Sequence, residues 1–358
     1  MRALLIVDRL FAQHERAMLE RTAIGLMNEG IETRMILPDL GQRGTRKMEV
    51  LAPQILYKDR GLSFTLKIRA MNIIRELASE RSTEGWDIVH AYGGQSWALA
   101  HELAKSFDSA LVLELWRAGM IPRATQFVKN ASVQCMLTTP DKSIEKAAKE
   151  SGAHLPIQVA PWGVPAPPNP RSILKDDHGV SVVFQSSGRN KAECATAFDG
   201  VLDAIEGRDD IHLFVNMHAA QRAGLWARAK KADALGKLTL IDQIEEQRDL
   251  ALNADFLVYP DTVHESRSLL FEAMGNAMCV VASTADQSSC LIEDQTCVIV
   301  HKSSQIQWSN AIKTLLREPE RARELGTQAW SHIRDHRKVS THIGATIDAY
   351  SQLVPVES

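Results

Sequence analysis

The sequence predicts an α/β protein made of two doubly wound halves, each with a parallel sheet covered by helices. Short apolar runs alternate with amphipathic stretches along the whole chain of 358 residues, which is the pattern of repeated βα units. The passage PWGVPAPPNPRS at 161–172 interrupts this alternation. Five prolines within ten residues cannot continue a helix or a sheet, so we predict a linker between the halves.

The elements of the first half follow from apolar runs of strand length and from helical periodicity. Gly30 follows the first long helical segment and suits a left-handed position just after it. The predicted strands are Ala3–Val7, Thr33–Leu37, Asp87–His90, Ala110–Leu115, Gln134–Thr138 and Gln158–Ala160. The predicted helices are roughly 14–28, 66–79, 95–106 and 142–151.

The second half repeats the same alternation and ends in helices. The predicted strands are 180–185, 212–216, 238–241, 254–259, 279–282 and 296–300. The predicted helices are 194–206, 221–235, 244–253, 268–275, 304–316, 319–336 and 339–353.

Composition excludes several protein classes. A hydrophobic content of 45% with 24% charged residues is typical of a globular chain. Five cysteines without a CxxC pair argue against a disulfide framework or a zinc site, and they favour a reducing, cytoplasmic location. No apolar run reaches the roughly 18–20 residues of a membrane helix, and the apolar stretch near Met1 is too short for a signal peptide.

The net charge of −3 is divided unevenly along the chain. Residues 1–165 carry 21 Lys and Arg against 18 Asp and Glu, and the remainder carries 20 against 26. A basic segment, 43–69, is either a solvated surface or a patch for anionic lipid or a phosphorylated acceptor. No interleaving of basic and aromatic residues suggests nucleic acid. The basic residues are Arg43, Arg46, Lys47, Lys58, Arg60, Lys67 and Arg69.

The stretch DTVHESRSLLFEAMGNAMCVVAS at 261–283 places polar residues between a buried strand and a helix. Free N–H groups at a helix start bind phosphate, and Ser266 and Ser268 are suitable N-cap residues. Glu272 lies one turn into this helix, in an apolar context where a carboxylate is costly without a partner. Either it binds a ligand such as the diol of a ribose, or it pairs with Arg267 or nearby backbone.

The order ADFLVYPD…HESRSLLFEAMGNAMCVVAS…LIEDQTCVIV…REPERARELG resembles the C-terminal half of family 4 glycosyltransferases, which have the GT-B fold. DIVHAYGGQSWALAHELAKSF, TPDKSIEKAAKESGAHLPIQVAPWGVPAP and SVVFQSSGRNKAE are similar to that family's other motifs. The likeness covers nearly the whole chain.

The resemblance implies two Rossmann-like domains facing a cleft. Residues 1–165 would form the acceptor-side domain, residues 166–336 would bind the nucleotide sugar, and residues 337–358 would form a helix that packs back on the first domain. The activity implied is transfer of a sugar from a UDP- or GDP-type donor to an unknown acceptor. The reaction would retain the anomeric configuration and need neither metal nor cofactor. The protein would lie in the cytoplasm or peripherally at the inner face of the membrane.

The resemblance also assigns site residues. Arg189 would contact the donor diphosphate with help from Lys191, beside the helix start at Ser268 and Leu269. Glu272 matches the second glutamate of the family's E-x7-E pair, which is expected on the ribose. The first position of that pair falls on His264, and Glu265 follows one residue later, so either residue would be the catalytic group.

Some motifs differ from the family pattern. The loop after the first strand, VDRLFAQHERA, has no glycine, and Trp116 stands where a histidine is usual. His90 ends a strand and would point at the cleft. These departures keep open a catalytically silent GT-B protein that acts as a partner or scaffold, and the fold itself keeps open a sugar-nucleotide epimerase.

Overall fold

The chain folds into two compact units, residues 1–163 together with 339–358, and residues 164–338. The computed structural model describes residues 1–39, 53–59, 65–79, 85–152, 155–175, 179–241, 248, 252–261, 265–283 and 288–354.

The sheet of the first unit contains seven parallel strands within the described residues. They are β1 (Arg2–Val7), β2 (Glu32–Pro38), β3 (Gln54–Tyr57), β4 (Ile88–Tyr92), β5 (Ala110–Glu114), β6 (Cys135–Thr139) and β7 (Ile157–Val159). Their order is β3-β2-β1-β4-β5-β6-β7. Every residue of the inner strand β1 is buried, because helices cover both faces of a sheet of this kind.

Helices connect these strands. α1 (Arg9–His14) begins one residue after β1, and its N-cap Asp8 accepts a hydrogen bond from the backbone N–H of Phe11. The remaining helices are α2 (Arg16–Asn28), α3 (Leu66–Ser79), α4 (Trp97–Phe107), α5 (Ile121–Asn130) and α6 (Lys142–Glu150).

The second unit has a parallel sheet of six strands within the described part of the chain, in the order β10-β9-β8-β11-β12-β13. The strands are β8 (Val180–Phe184), β9 (Ile211–Asn216), β10 (Leu238–Ile241), β11 (Phe256–Tyr259), β12 (Cys279–Ser283) and β13 (Val298–Val300). The helices are α7 (Lys191–Ala204), α8 (Met217–Ala223), α9 (Leu225–Lys231), α10 (Ser268–Gly275), α11 (Gln305–Arg317) and α12 (Pro319–His336).

The last helix, α13 (Val339–Leu353), belongs to the first unit. It lies against α2 so closely that a Cβ added at Gly25 would meet Ile343 Cγ1 at 2.4 Å. His342 Nε2 lies 3.1 Å from Thr22 Oγ1. The prediction that the C-terminal helix crosses back to the first domain is therefore confirmed.

Several predicted elements differ in detail. The first helix starts earlier than predicted, at Arg9, and a break at Glu15 divides it. The helix predicted at 221–235 is divided by Gly224, whose φ of 68° ends α8 in the left-handed region. The helix predicted at 244–253 lies mostly outside the described residues. β3 is too short, at four residues, to carry a recognisable pattern, and neither it nor α5 was predicted.

Candidate functional site

The candidate site lies in the second unit, where β8 and β11 run side by side in the sheet. Loops that follow neighbouring parallel strands meet at one sheet edge, and ligands of doubly wound sheets bind there. The loop after β8 leads to α7, and the turn after β11 leads to α10. The predicted site residues fall on these two connections or on the helices that follow them.

Asp261 joins the two connections. Its carboxylate accepts hydrogen bonds from Ser186 Oγ at 2.6 Å and from the backbone N–H of Ser187 at 2.8 Å. Burial raises the pKa of this carboxyl, and the negative charge of Glu265 adds to that effect, although the two hydrogen bonds oppose it. The carboxylate therefore fixes the loop after β8 to the turn after β11.

The loop after β8 is fixed from the other side as well. Gly188 has a φ of +64°, and a Cβ there would lie 3.1 Å from Ala219 Cα and 3.2 Å from Arg222 Cβ. Arg222 also donates from Nη1 to the carbonyl oxygen of Ser187 at 2.7 Å. Only glycine fits this close approach, which sets the position of Arg189 immediately after it.

Arg189, Glu265 and Arg267 form a charged triad. Glu265 Oε2 accepts a hydrogen bond from Arg189 Nη1, and its Oε1 is paired with Arg267 Nη2. The side chain of Glu265 is 0% exposed and that of Arg267 is 5% exposed, whereas that of Arg189 is 29% exposed. Tyr259 donates its hydroxyl to the carbonyl oxygen of Glu265 at 3.2 Å. Arg189 is thus the member of the triad that reaches solvent.

Glu272 forms a second buried ion pair. Its Oε2 accepts a hydrogen bond from Arg248 Nε, and Arg248 Nη2 donates to Ser268 Oγ at 2.8 Å. Glu272 is 2% exposed and Arg248 is 8% exposed. The cost of burying this carboxylate is thus offset by the guanidinium of Arg248, a partner on another segment that the sequence did not suggest.

The other predicted site residues are distributed around these pairs. Lys191 is exposed at the first position of α7, and Ser268 and Leu269 are buried at the start of α10. The N-cap of α10 is Arg267, without a side-chain cap bond, so neither Ser266 nor Ser268 has the expected capping role. His264 lies outside the described residues.

Arg248 and Arg222 were missed by the sequence reasoning. Arg248 is 24 residues before Glu272 and on a different segment, so no spacing links the two. Arg222 lies on α8, where its pattern is that of an ordinary surface residue. A buried glutamate is the signal that a cation must lie close, but it does not say which one.

His90 is part of a buried polar cluster in the first unit and does not reach solvent. Its Nδ1 lies 2.9 Å from the Tyr350 hydroxyl and 3.1 Å from the Tyr92 hydroxyl, and its Nε2 lies 3.3 Å from Thr138 Oγ1. The residue is 1% exposed, and burial lowers the pKa of the imidazole although Glu114 opposes this. The position is structural and ties α13 to the sheet.

In the first unit, the position after β1 is filled by the buried side chain of Asp8. Asp8 accepts hydrogen bonds from the N–H of Phe11 at 2.8 Å and of Gln95 at 3.1 Å, and burial raises the pKa of its carboxyl. A Cβ at Gly93, whose φ is +87°, would meet Asp8 Oδ2 at 2.2 Å. A carboxylate therefore occupies the position where the resemblance expects a glycine-rich loop.

Neither a membrane-spanning helix nor a metal-binding cluster occurs among the described residues. No described helix is long and apolar enough to cross a membrane. No group of three or more His, Cys, Asp or Glu side chains among them could hold a metal ion.

Neither a family model nor a curated protein matches the sequence, but solved structures do match the fold. Sucrose-phosphate synthase from Thermosynechococcus elongatus has a TM-score of 0.74 at 13% identity, with 99% of each chain covered. HepE from Anabaena, in complex with UDP and glucose, has a TM-score of 0.76 at 11% identity, covering 97% of this chain and 99% of that one. A proposed UDP-N-acetylglucosamine 2-epimerase from Listeria monocytogenes has a TM-score of 0.65 at 16% identity, covering 100% and 97%.

These likenesses run over the full length of the chain, and they identify its architecture. The chain has the GT-B fold, with two Rossmann-like units and parallel sheets, as the sequence predicted. At identities this low the reaction is a separate question, because one fold serves many activities.

Proposed function

We propose that this protein is a glycosyltransferase that moves a sugar from a nucleotide-sugar donor to an acceptor. The observation that carries the proposal is Arg189, partly exposed where β8 ends and held beside the turn that leads to α10. A guanidinium presents a planar fork to phosphate oxygens and keeps its charge at every relevant pH. Anabaena HepE, which shares the fold, is described in complex with UDP and with UDP-glucose.

The donor would lie over the edge of the second sheet. Arg189, assisted by Lys191, would carry the charge of the diphosphate, and the N–H groups at the start of α10 would add to it. Glu272 would accept hydrogen bonds from the ribose hydroxyls, with Arg248 orienting its carboxylate. In this arrangement side-chain cations stabilise the leaving diphosphate, so the reaction proposed needs no metal.

The finer features of the reaction belong to the same proposal. The donor is of the UDP or GDP type, and the product retains the anomeric configuration of the donor. His264 or Glu265 supplies the polar group beside the reacting sugar. The acceptor is a glycan, a lipid-linked sugar or a small molecule.

Calorimetric titration tests the donor class directly. We expect UDP or GDP to bind the wild-type chain, and Arg189→Ala to weaken that binding by about 1.5–3 kcal/mol because charged hydrogen bonds are lost. Arg208→Ala is the matched control, since Arg208 pairs with Asp210 just before β9 begins, whereas the triad follows the ends of β8 and β11. Absence of binding by either nucleotide would reject the proposal, and equal binding by Arg189→Ala would reject the role of Arg189.

The fate of the donor separates transfer from epimerisation. With UDP-glucose and a mixture of acceptors, NMR should show free UDP and a sugar attached to an acceptor or to water with its anomeric configuration retained. An epimerised sugar nucleotide would instead place the protein with the epimerases that share the fold.

We also propose that α3 contacts anionic lipid from the cytoplasmic side. Ile68 and Met71 lie on one face of this helix and are 57% and 50% exposed, and the exposed Lys67 and Arg75 flank them. Such a face combines apolar insertion with attraction to negative headgroups. Of the other basic residues predicted for this patch, Arg43, Arg46, Lys47 and Arg60 lie outside the described residues.

Sedimentation with vesicles tests this surface. Binding to phosphatidylglycerol vesicles should fall as salt is added, and replacing both Ile68 and Met71 by serine should reduce it. Ile306→Ser is the control, because Ile306 is 70% exposed on the other unit. Equal sedimentation with neutral and anionic vesicles, or none with either, would contradict the proposal.

A further inference from the structure

The triad of Arg189, Glu265 and Arg267 has an arrangement that bears on ligand binding. We infer that Glu265 is an internal competitor for the anion that binds Arg189, and that Arg267 holds Glu265 when the anion displaces it. This inference rests on the proposed function, because the displacing anion is the donor diphosphate. It assigns Glu265 a positioning role that acts through Arg189.

The carboxylate of Glu265 is shared by the guanidinium groups of Arg189 and Arg267. One oxygen of Glu265 faces Arg189 and the other faces Arg267. The three side chains together carry one net positive charge. The Nη1 of Arg189 is engaged with a carboxylate, which resembles phosphate in being negatively charged and in offering a pair of oxygens to a guanidinium.

The two arginines differ in burial. The side chain of Arg267 is 5% exposed and that of Arg189 is 29% exposed. An anion arriving from solvent can therefore reach Arg189, whereas Arg267 stays inside with Glu265. The exchange of partners takes place on the Arg189 side alone.

Arg267 lowers the cost of that exchange. A buried carboxylate that lost its last cation would be strongly destabilised. Here Arg267 still faces Glu265 after Arg189 turns to the phosphate, and the Tyr259 hydroxyl holds the backbone at 3.2 Å. Glu265 is thus paired with both arginines in the absence of the anion and with Arg267 alone when Arg189 binds the phosphate. In neither state is a buried charge left without a partner.

The sign of one substitution distinguishes this role from direct contact with the donor. Glu265→Gln keeps the shape of the side chain and removes the competing negative charge. UDP and inorganic pyrophosphate should therefore both bind at least about three-fold more tightly than to the wild type, because the charged contact that holds Arg189 is lost. A glutamate that contacts the donor sugar gives a different pattern. Its loss weakens UDP-glucose and leaves UDP unchanged, and that result would overturn the inference.

Arg267→Met is the complementary variant. It leaves Glu265 with Arg189 as the cation remaining from the triad, so pyrophosphate binding should weaken by about three-fold or more. Glu320→Gln removes an exposed carboxylate of the same unit and should change neither affinity. Unchanged affinity in Arg267→Met would overturn the role given to Arg267.

The pyrophosphate measurement separates this inference from the proposed function. If the wild type bound no nucleotide, the proposed function would fail, yet tighter pyrophosphate binding by Glu265→Gln would still support the competition. If circular dichroism showed that Glu265→Gln does not fold, Glu265→Asp would serve. It keeps the charge but shortens the side chain, so it should release Arg189 and tighten pyrophosphate binding. Wild-type affinity in the folded variant would refute the competition.

Discussion

Trp162 donates its indole N–H to Glu114 Oε1 at 2.7 Å, and both residues are almost completely buried in the first unit. Glu114 also accepts a hydrogen bond from Thr138 Oγ1 through its other oxygen. Trp162 is the second residue of the proline-rich passage, so this bond anchors the passage to β5 where it leaves the unit. The passage itself has neither helix nor strand.

We predict that Trp162→Phe lowers the free energy of unfolding by about 1.5–3 kcal/mol, because the buried carboxylate loses a charged hydrogen bond. Urea unfolding followed by circular dichroism measures the change. Trp226→Phe is the control, since Trp226 is 49% exposed. Equal losses in the two variants would show that the bond to Glu114 has no special weight.

A second prediction concerns Gly93. Alanine there would place a Cβ 2.2 Å from Asp8 Oδ2 in a backbone with a φ of +87°, so Gly93→Ala should cost at least about 2 kcal/mol of stability. Gly119→Ala, where nothing lies within 4 Å of the added atom, should be nearly neutral. Similar melting temperatures for the two variants would contradict the close approach.

A third prediction concerns the pair of Arg248 and Glu272. Arg248→Met should destabilise the second unit by about 3–5 kcal/mol, because the buried carboxylate loses its guanidinium. Combining it with Glu272→Leu should recover much of that loss, since no buried charge remains. A double-mutant cycle in the absence of nucleotide measures the coupling, and additive losses would show that the two side chains do not interact.

The fourth prediction follows from His342, which contacts Thr22 and interacts electrostatically with Glu114, His90 and Arg21. Burial lowers the pKa of its imidazole to about 4, whereas the unfolded value is about 6.5. Between about pH 6.5 and 4 this imidazole is protonated in the unfolded chain but neutral in the folded chain. The free energy of unfolding therefore falls as the pH falls through this range.

Replacing His342 by glutamine should therefore flatten the pH dependence by up to about 1.4 kcal/mol per pH unit between pH 6.5 and 4. Urea midpoints measured at several pH values give the slope. His212→Gln, at an exposed position on β9, should keep the slope of the wild type. An unchanged slope in His342→Gln would show that this imidazole binds its proton as readily in the folded chain as in the unfolded one.

Periodicity was sufficient to predict two doubly wound halves, because helices cover both faces of the sheets and the inner strands are therefore largely apolar. β1 and β12 are buried at every residue, and their sequences show it directly. The breaks at Glu15 and Gly224 and the short edge strand β3 escaped prediction, since local backbone geometry and pairing decide them. The domain boundaries predicted from the resemblance remain predictions in their finer detail.

The candidate site was predictable only where its residues lie close together in the sequence and form a motif. Arg189, Glu265 and Glu272 stand in recognisable motifs, and the first two lie together in the structure. Their ligand roles remain predictions. The partner Arg248 depends on which segments the fold brings together, whereas Arg267 lies two residues from Glu265 and pairs with it rather than with Glu272. His90 is held inside by Tyr350, which lies 260 residues further along the chain.

The position of α13 has a consequence for the order of folding during synthesis. The second unit is one uninterrupted segment, 164–338, inserted into the first, which resumes only at Val339. A ribosome therefore releases a complete second unit while the first still lacks the helix that covers Gly25, Thr22 and His90. Domains generally fold as units while they emerge. The first unit, whose synthesis begins before that of the second, is therefore the last of the two to complete its fold.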